Sequence, residues 1–259
     1  LPRIKYGDAT FGTTYQEKTK IISSYFKREF ANFKQEIETT HYFKNQLIGN
    51  FIYKGPVLEW YMKIKLRLEN NYEQFHSIVP SKGTIVDAGC GYGFMSYMLA
   101  YTSSDRKIVG VDYDEDKIEV AQKSFGRPSN LKFEVASIVD YKFCNSDCII
   151  FSDVMHYLPE ESRIKVFKNA VSMLNPDGTI IVRDGDSEMS RKHMGTKITE
   201  FFSTKILRFN KVENKLNFFS AKSLIEQGKH LGLTSQIIDK TKLSSNVIVV
   251  FKKNGVQNE

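Results

Sequence analysis

A chain of 259 residues, 41% hydrophobic and 26% charged, is long enough to bury a sizeable core, and one large domain with an appendage is the expected organisation. No run approaches the roughly 18 to 20 apolar residues of a membrane span, and the opening LPRIKYGD lacks the apolar core of a signal peptide, so a soluble cytoplasmic chain is expected. The net charge of +7 is unevenly placed, +4 over residues 1–80, −3 over 81–185 and +6 over 186–259; the basic flanks read either as solvated surface or as faces toward an anionic acceptor, a membrane surface or an acidic partner.

Residues 1–12 carry no periodic signal. Thr14 and Glu17 suit a capping box, and Ile22, Phe26, Phe30, Phe33 and Ile37 then recur at helical spacing. After Gly55-Pro56, a second helix is predicted with Val57, Tyr61, Ile64, Leu68, Tyr72, Phe75 and Val79 as its apolar stripe and Lys63, Arg67, Asn70 and Gln74 as its polar face. The expectation is an N-terminal helical cap over residues 1–80, laid on a domain spanning 81–259. The first residue is not Met, which suits either a segment of a longer polypeptide or a processed chain.

From Thr84 strands and helices alternate, the pattern of a parallel sheet covered on both faces. Strand one ends in VDAGCGYG, Val86 to Gly93. Glycines at 89, 91 and 93 let the backbone take positive φ and a ligand lie against it, while the next helix points free N–H groups at that ligand. A dinucleotide fingerprint would need glycine where Phe94 stands, which weakens a dehydrogenase reading. Strand two is Ile108 to Asp112, and a helix over 114–125 opens on Asp114, Glu115 and Asp116. Strand three is Leu131 to Val135 and strand four Asp147 to Ser152. The next helix begins near Pro159 and buries Ile164, Phe167, Val171 and Leu174; a turn at 175–178 launches strand five, TIIVRDGD. Residues 187–217 form a polar, basic insertion. A helix over 220–231 and strands over 235–238 and 247–251 close the chain.

Asp-x-Gly-x-Gly-x-Gly, with an acid ending strand two 19 residues past Gly93, resembles the class I S-adenosylmethionine-dependent methyltransferases. The resemblance implies an α/β fold, a Rossmann-like doubly wound seven-stranded sheet, mostly parallel with the last strand antiparallel. It also implies S-adenosylmethionine as cofactor, with Asp87, Gly89, Cys90, Gly91 and Gly93 forming the turn and Asp112, followed by Tyr113, at the ribose. After strand three the family usually offers an acid to adenine; here Ser137 holds that position, leaving Ser137, the Ala136 or Ile138 backbone, or Asp140 for the role. Ser152 and Asp153 end strand four at the cofactor.

His156 follows on the strand-four loop, and an imidazole with pKa near 6.5 can take a proton from a phenol, enol or acid at neutral pH; a helix-capping or core histidine is the alternative. Tyr157, Arg183, Arg191 and His193 are candidates for holding the acceptor, Arg183 alternatively pairing internally with Asp184 or Asp186. No two-His-plus-carboxylate spacing points to a metal. Three cysteines, Cys90, Cys144 and Cys148, match neither zinc nor redox spacings and read as reduced thiols.

YKGPVLEWYMKIKLRLENNY, VDYDEDKI, VMHYLP, VRDGD and HMGTKITEFFSTK further resemble the C-terminal methyltransferase region of bacterial fusion polypeptides that also carry a lysophospholipid acyltransferase and an exporter-like membrane part. That implies a small or lipid-linked acceptor, aryl or acyl and anionic, and a domain held near a membrane or carrier protein through a larger polypeptide. Nucleic acid is the disfavoured partner, because strand four ends Ser152-Asp153-Val154-Met155 rather than in the Asn/Asp-Pro-Pro-aromatic motif of amino-group methylases. An RNA methyltransferase using the basic flanks, and a cofactor-binding module without turnover, stay open as alternatives.

Overall fold

The computed structural model describes residues 47–51, 58–59, 61–63, 72–124, 126–186, 220–238 and 246–254. The chain falls into two compact units, one of residues 1–74 with 123–127 and one of residues 75–122 with 128–259. In the first unit residues 47–49, 58–59 and 61–63 are helical, and Leu47, Phe51, Leu58 and Met62 are buried. Of the expected stripe Phe75 and Val79 are buried, and Tyr61 is the member that departs. Leu58 and Met62, four apart, are buried whereas Tyr61 is half-buried, because an apolar pair can be sealed completely while a phenol keeps its polar tip wet. Lys63 lies on the wet face and bonds Glu59 at 2.6 Å. The capping box, the helix over 22–37, Val57, Ile64 and Leu68 lie outside the described residues.

The second unit is built on one seven-stranded sheet. Its strands are β1 (Gly83–Ala88), β2 (Arg106–Asp112), β3 (Leu131–Val135), β4 (Ser146–Ser152), β5 (Leu174–Gly185), β6 (Leu233–Ile238) and β7 (Asn246–Lys253), in the order β3-β2-β1-β4-β5-β7-β6. The first five run parallel. β7 is antiparallel to both β5 and β6 and inserts between them. Helices α1 (Tyr72–Ile78), α2 (Phe94–Thr102), α3 (Glu115–Gln122), α4 (Glu160–Ser172) and α5 (Ala221–His230) connect the strands. Among the described residues, no helix is long and apolar enough to cross a membrane.

Central strands read as continuous apolar runs because both faces are covered. Val86, Ile149, Phe151, Ile180, Val182 and Val249 face Val166, Phe167 and Ala170 of α4 and Leu224 of α5 in one buried cluster. Ile85, Ile108, Cys148, Ile150 and Ile181, which alternate with them, are buried too. Several predicted boundaries move. α3 stops at Gln122, and Asp114 precedes it as a buried acid whose carbonyl accepts from Ile118 N–H. The face of α4 is Val166, Phe167, Ala170 and Val171, with Ile164 only half-buried. Leu174 is strand rather than helix, because Ser146 N–H donates to Met173 O and the β4 ladder begins there. The 175–178 turn therefore bulges within β5, with Asp177 at φ 62 and the register jumping from Leu174 to Thr179.

A buried arginine organises the base of the sheet and has no signal in the sequence. Arg106 opens β2, is 1% exposed, and donates through Nε to Pro80 O (2.7 Å), through Nη1 to Leu99 O (3.0 Å) and Thr102 Oγ1, and through Nη2 to Val79 O (3.1 Å). It thereby satisfies carbonyls at the end of α2, where a cation is favoured, and in the segment entering β1. Burial lowers its pKa from the ordinary guanidinium value, yet an arginine stays charged. Arg106→Met should strand these carbonyls, with charge-assisted bonds worth roughly 1.5 to 3 kcal/mol each. The expected loss is about 3 kcal/mol or more, a drop in Tm on the order of 10 °C in scanning calorimetry; a Tm within about 2 °C of wild type would show the clasp to be dispensable.

Candidate functional site

The direction of strand succession reverses between β1 and β4, and in open α/β sheets ligands bind beyond the carboxyl ends at such a switch point. The loops there are Asp87 to Gly93, Asp112 to Asp114, Ala136 to Asp140, Asp153 to Tyr157 and Arg183 to Asp186. All of them belong to the second unit.

The three glycines of the first loop have different reasons to be glycine. Gly89 and Gly93 sit at φ 83 and φ 77, and a Cβ would come within 2.5 Å of the Val154 side chain at the first and of the Phe133 ring at the second. They are small so that the β4 loop and β3 can close against the turn. Gly91, at φ 56, has nothing among the described residues within 4 Å of such a Cβ. Its open face is the cradle. Gly89 and Cys90 both donate their N–H to Val111 O, at 2.7 and 3.0 Å, and Gly93 begins α2 by accepting from Tyr97 N–H.

Two acids hold this turn. Asp87, 2% exposed, accepts a 2.5 Å bond from Ser96 Oγ on α2, fixing the strand to the helix it launches. Asp112, 6% exposed, accepts from Gly91 N–H through Oδ2 (2.8 Å) and from Asp114 N–H through Oδ1 (2.9 Å). Each carboxylate oxygen has two lone pairs, so both oxygens retain capacity for the ribose hydroxyls that the resemblance implies. Cys90 is half-buried between these acids, and burial, then Asp87 and Asp112, push its thiol well above the ordinary value. It is a neutral wall residue. Cys90, Cys144 and Cys148 are all free.

Tyr113 and Val135, at the ends of β2 and β3, are each 51% exposed, large apolar side chains held at the rim. Ala136 N–H donates to Asp112 O (2.9 Å), bringing the third loop beside that acid. Ala136 is half-buried, Ser137 exposed and Ile138 buried. Ser137 Oγ accepts from Val139 N–H at 3.3 Å, whereas the Asp140 carboxylate reaches Lys165 on α4 at 3.0 Å. An open glycine face, acids with spare lone pairs and exposed apolar side chains beside them fit an adenosine-bearing cofactor.

On the other side of the switch point two consecutive β5 residues hold the β4 loop. Asp153 takes φ 55, unusual for a side-chain-bearing residue, and donates its N–H to Arg183 O (2.8 Å). The Arg183 guanidinium, 3% exposed, bonds the Asp153 carboxylate, which among the described residues is its ion-pair partner in place of the expected Asp184 or Asp186. Arginine and loop acid face each other because Asp153 follows Ser152, the register partner of Arg183. Asp184 instead takes His156, with His156 Nδ1 2.5 Å from Oδ1 and His156 N–H donating to Oδ2 at 3.0 Å. His156 is 3% exposed, in the 3₁₀ turn Met155–Tyr157, with its ring centroid 4.0 Å from that of the half-buried Tyr157. Asp186 Oδ1 accepts from Ala221 N–H at 3.4 Å, at the start of α5. Arg191, His193 and the insertion at 187–217 lie outside the described residues.

The sequence reading missed three partners, Ser96 for Asp87, Phe133 for Gly93 and Asp184 for His156. The first two leave no chemical signature. Asp184 was visible as a strand-end acid, but nothing in local spacing joins it to a histidine 28 positions earlier.

The glycine geometry separates fold from binding. Gly91→Ala places its methyl in open space and carries only the left-handed penalty of about 1 to 2 kcal/mol, so the chain should fold while S-adenosylmethionine affinity falls; Gly93→Ala must also displace Phe133, and its Tm should drop further. Equal losses in both variants by calorimetry would contradict this division. Asp112→Ala removes the pins of two loops together with the carboxylate expected to hold the ribose, each charge-assisted bond worth roughly 1.5 to 3 kcal/mol. Affinity for S-adenosylmethionine should decline at least about tenfold in a titration, and an unchanged value would exclude Asp112 from the site.

Comparison with known proteins agrees with this geometry. Residues 80–247 match the family model described as a methyltransferase domain. The chain is 28% identical over 113 residues to a trans-aconitate 2-methyltransferase of Sinorhizobium fredii, covering 43% of this chain and 42% of that protein. It is 24% identical over 107 residues to a carboxy-S-adenosyl-L-methionine synthase of Campylobacter curvus, covering 40% of this chain and 45% of that protein. The match thus spans less than half the length of these relatives. In fold it is similar to human N-acetylserotonin methyltransferase in complex with SAM, with a TM-score of 0.56 at 16% identity over 92% of this chain and 69% of that one. The chain belongs to the methyltransferase domain family and is built on the class I S-adenosylmethionine-dependent methyltransferase fold.

Proposed function

We propose that the chain transfers a methyl group from S-adenosylmethionine to a small or lipid-linked acceptor, with His156 as the general base. The observation that carries this reading is the meeting of two built loops at one switch point. The turn bearing Gly91 and Asp112 is suited to the cofactor, and the β4 loop presents an imidazole backed by Asp184. When bound, the cofactor supplies a methyl group on a positively charged sulfur that departs as a neutral thioether. The protein's own work is then modest. Asp112 and the Gly91 face hold the nucleoside, Tyr113 and Val135 shield it, Ser152 and Asp153 border the amino-acid end, and Tyr157 lies on the acceptor side next to His156.

The acceptor reading is an amphipathic anion, an aryl or acyl chain on a phosphate or carrier protein. Its support is the interleaving of Arg191, Lys192, Lys197, Lys205, Arg208 and Lys211 with Phe201, Phe202, Ile206, Leu207 and Phe209, in a stretch outside the described residues, together with the resemblance to acyltransferase fusion polypeptides. Arg183, paired with Asp153, and the basic residues Arg191 and His193 are the proposed acceptor contacts. Trans-aconitate in the name of one relative keeps small polycarboxylates among the acceptors to be tried.

Incubation with radiolabelled methyl donor and a lipid or aqueous cell extract tests the activity, and a chain that binds cofactor yet labels nothing is a binding module. His156→Gln should lower turnover by about 100-fold or more with cofactor affinity intact in calorimetry. Wild-type turnover in that variant at neutral pH would reduce His156 to a structural residue.

A further inference from the structure

The crossover from β3 to β4, residues 136–145, holds no helix and runs as turns and extended backbone, although parallel strands are usually joined through a helix. Ile138 and Phe143 anchor it in the core cluster, and it is fastened to the α4 side at two places. Asp140 bonds Lys165 Nζ at 3.0 Å, and where the crossover enters β4, Ser146 N–H donates to Met173 O at 2.9 Å. Between these fastenings the two walls stay apart. They leave an open groove of about 400 Å³, bounded by residues 139–143 on one side and by Lys165, Asn169, Ser172 and Met173 on the other. Because α4 leads from the carboxyl end of β4 to the start of the parallel strand β5, the Met173 end of the groove lies at the opposite end of the sheet from the glycine turn.

The groove has an apolar floor and a charged rim. Tyr141 is half-buried, with its ring edge-on to the buried Phe143 at 5.1 Å between centroids. Met173 is 37% exposed, and an adaptable thioether beside an aromatic ring takes an apolar body well. On the rim stand two cations, Lys142 and Lys165, against one acid, Asp140. Lys142 has no ion-pair partner among the described residues. The Lys165–Asp140 pair is 54% and 76% exposed, and a bridge so open to water is weak, so an incoming anion can take Lys165 from Asp140. Glu134, the neighbouring acid, is engaged by the Tyr141 hydroxyl, which donates to it at 3.0 Å. Burial first, then Glu134, pushes that phenol up, and Tyr141 adds no charge to the floor. The volume falls within the range of small-molecule sites, about 300 to 1,000 Å³.

We propose that this groove is a second binding site, separate from the cofactor turn, for a small amphipathic anion, its aromatic or short acyl body on Tyr141 and Met173 and its carboxylate or phosphate between Lys142 and Lys165. A cationic ligand would meet both lysines, and a neutral one would leave them without a counter-ion. The site does not depend on the methyl-transfer reading, because its walls share no residue with the glycine turn or with the β4 loop.

The full chain labelled with carbon-13 methyl methionine tests this directly. The Met173 signal is assigned by its loss in Met173→Leu, and that of Met155, buried in the β4 loop, by its loss in Met155→Leu. Titration with phenylbutyrate should carry the Met173 methyl to a plateau. Phenylbutanol and phenylbutylammonium should bind at least about fivefold more weakly, as two exposed ion pairs are lost. Lys142→Gln, a change on the exposed rim, should weaken phenylbutyrate about threefold and leave phenylbutanol unchanged. A Met173 methyl that shows no saturable shift, an equal affinity for the ammonium compound, or an unchanged phenylbutyrate affinity in Lys142→Gln overturns the proposal. So does a shift at Met155 with Met173 unmoved, which would place the anion at the switch point instead.

Discussion

The Asp112 side chain and carbonyl tie together the loops that follow three strands. Oδ2 holds Gly91 N–H, Oδ1 holds Asp114 N–H, and the backbone oxygen holds Ala136 N–H. At 6% exposure these bonds are shielded from water, where a charge-assisted bond is short and strong and an unmade one is costly. The cofactor half of the site is therefore preorganised by the residue expected to bind the ribose. In the proposed site the residue that orders the loops is also the one that binds, and a ligand meeting a prebuilt cradle spends little of its affinity on ordering it.

The other half of the site uses the same device from a different strand. Arg183 and Asp184 are adjacent on β5, and each holds one residue of the β4 loop by two bonds, Asp153 and His156 respectively. Asp153 keeps a left-handed backbone that its side chain disfavours, a local cost that persists where surrounding contacts over-determine it. Parallel pairing of β4 with β5 sets the spacing of the two clasps. Val154, between them, packs over Gly89, so the β4 loop and the glycine turn touch and neither can be rebuilt without the other.

Burial of both sheet faces makes this rigidity possible. Phe133 of β3 occupies the room left by Gly93 and Gly110, and its ring lies tilted 41° with its centroid 5.5 Å from that of Tyr97, whose hydroxyl donates to Ala121 O. The glycine turn is thus seated on an aromatic ring, and the helix that follows it is locked to α3. Arg106 does the comparable work at the opposite end of β2. Between these two fastenings the strand that delivers Asp112 has little freedom.

By itself the sequence determined the alternation of strands and helices, the glycine turn, both strand-end acids and the histidine after strand four. Each of these is written in local pattern, as a period of apolar residues, as a residue type that tolerates positive φ, or as an acid at the end of an apolar run. The tertiary structure decided the pairings. That Arg183 takes Asp153 and leaves Asp184 to His156, that Gly91 alone of the loop glycines faces open space, and that Leu174 starts a strand instead of finishing a helix all depend on which strands lie side by side. Sequence separations of 28 and 30 residues lie between the members of those clasps, and no local rule spans that distance. The order β1-β4-β5 brings them to bonding range, because hydrogen bonds and ion pairs act over a few ångströms of space and are indifferent to distance along the chain.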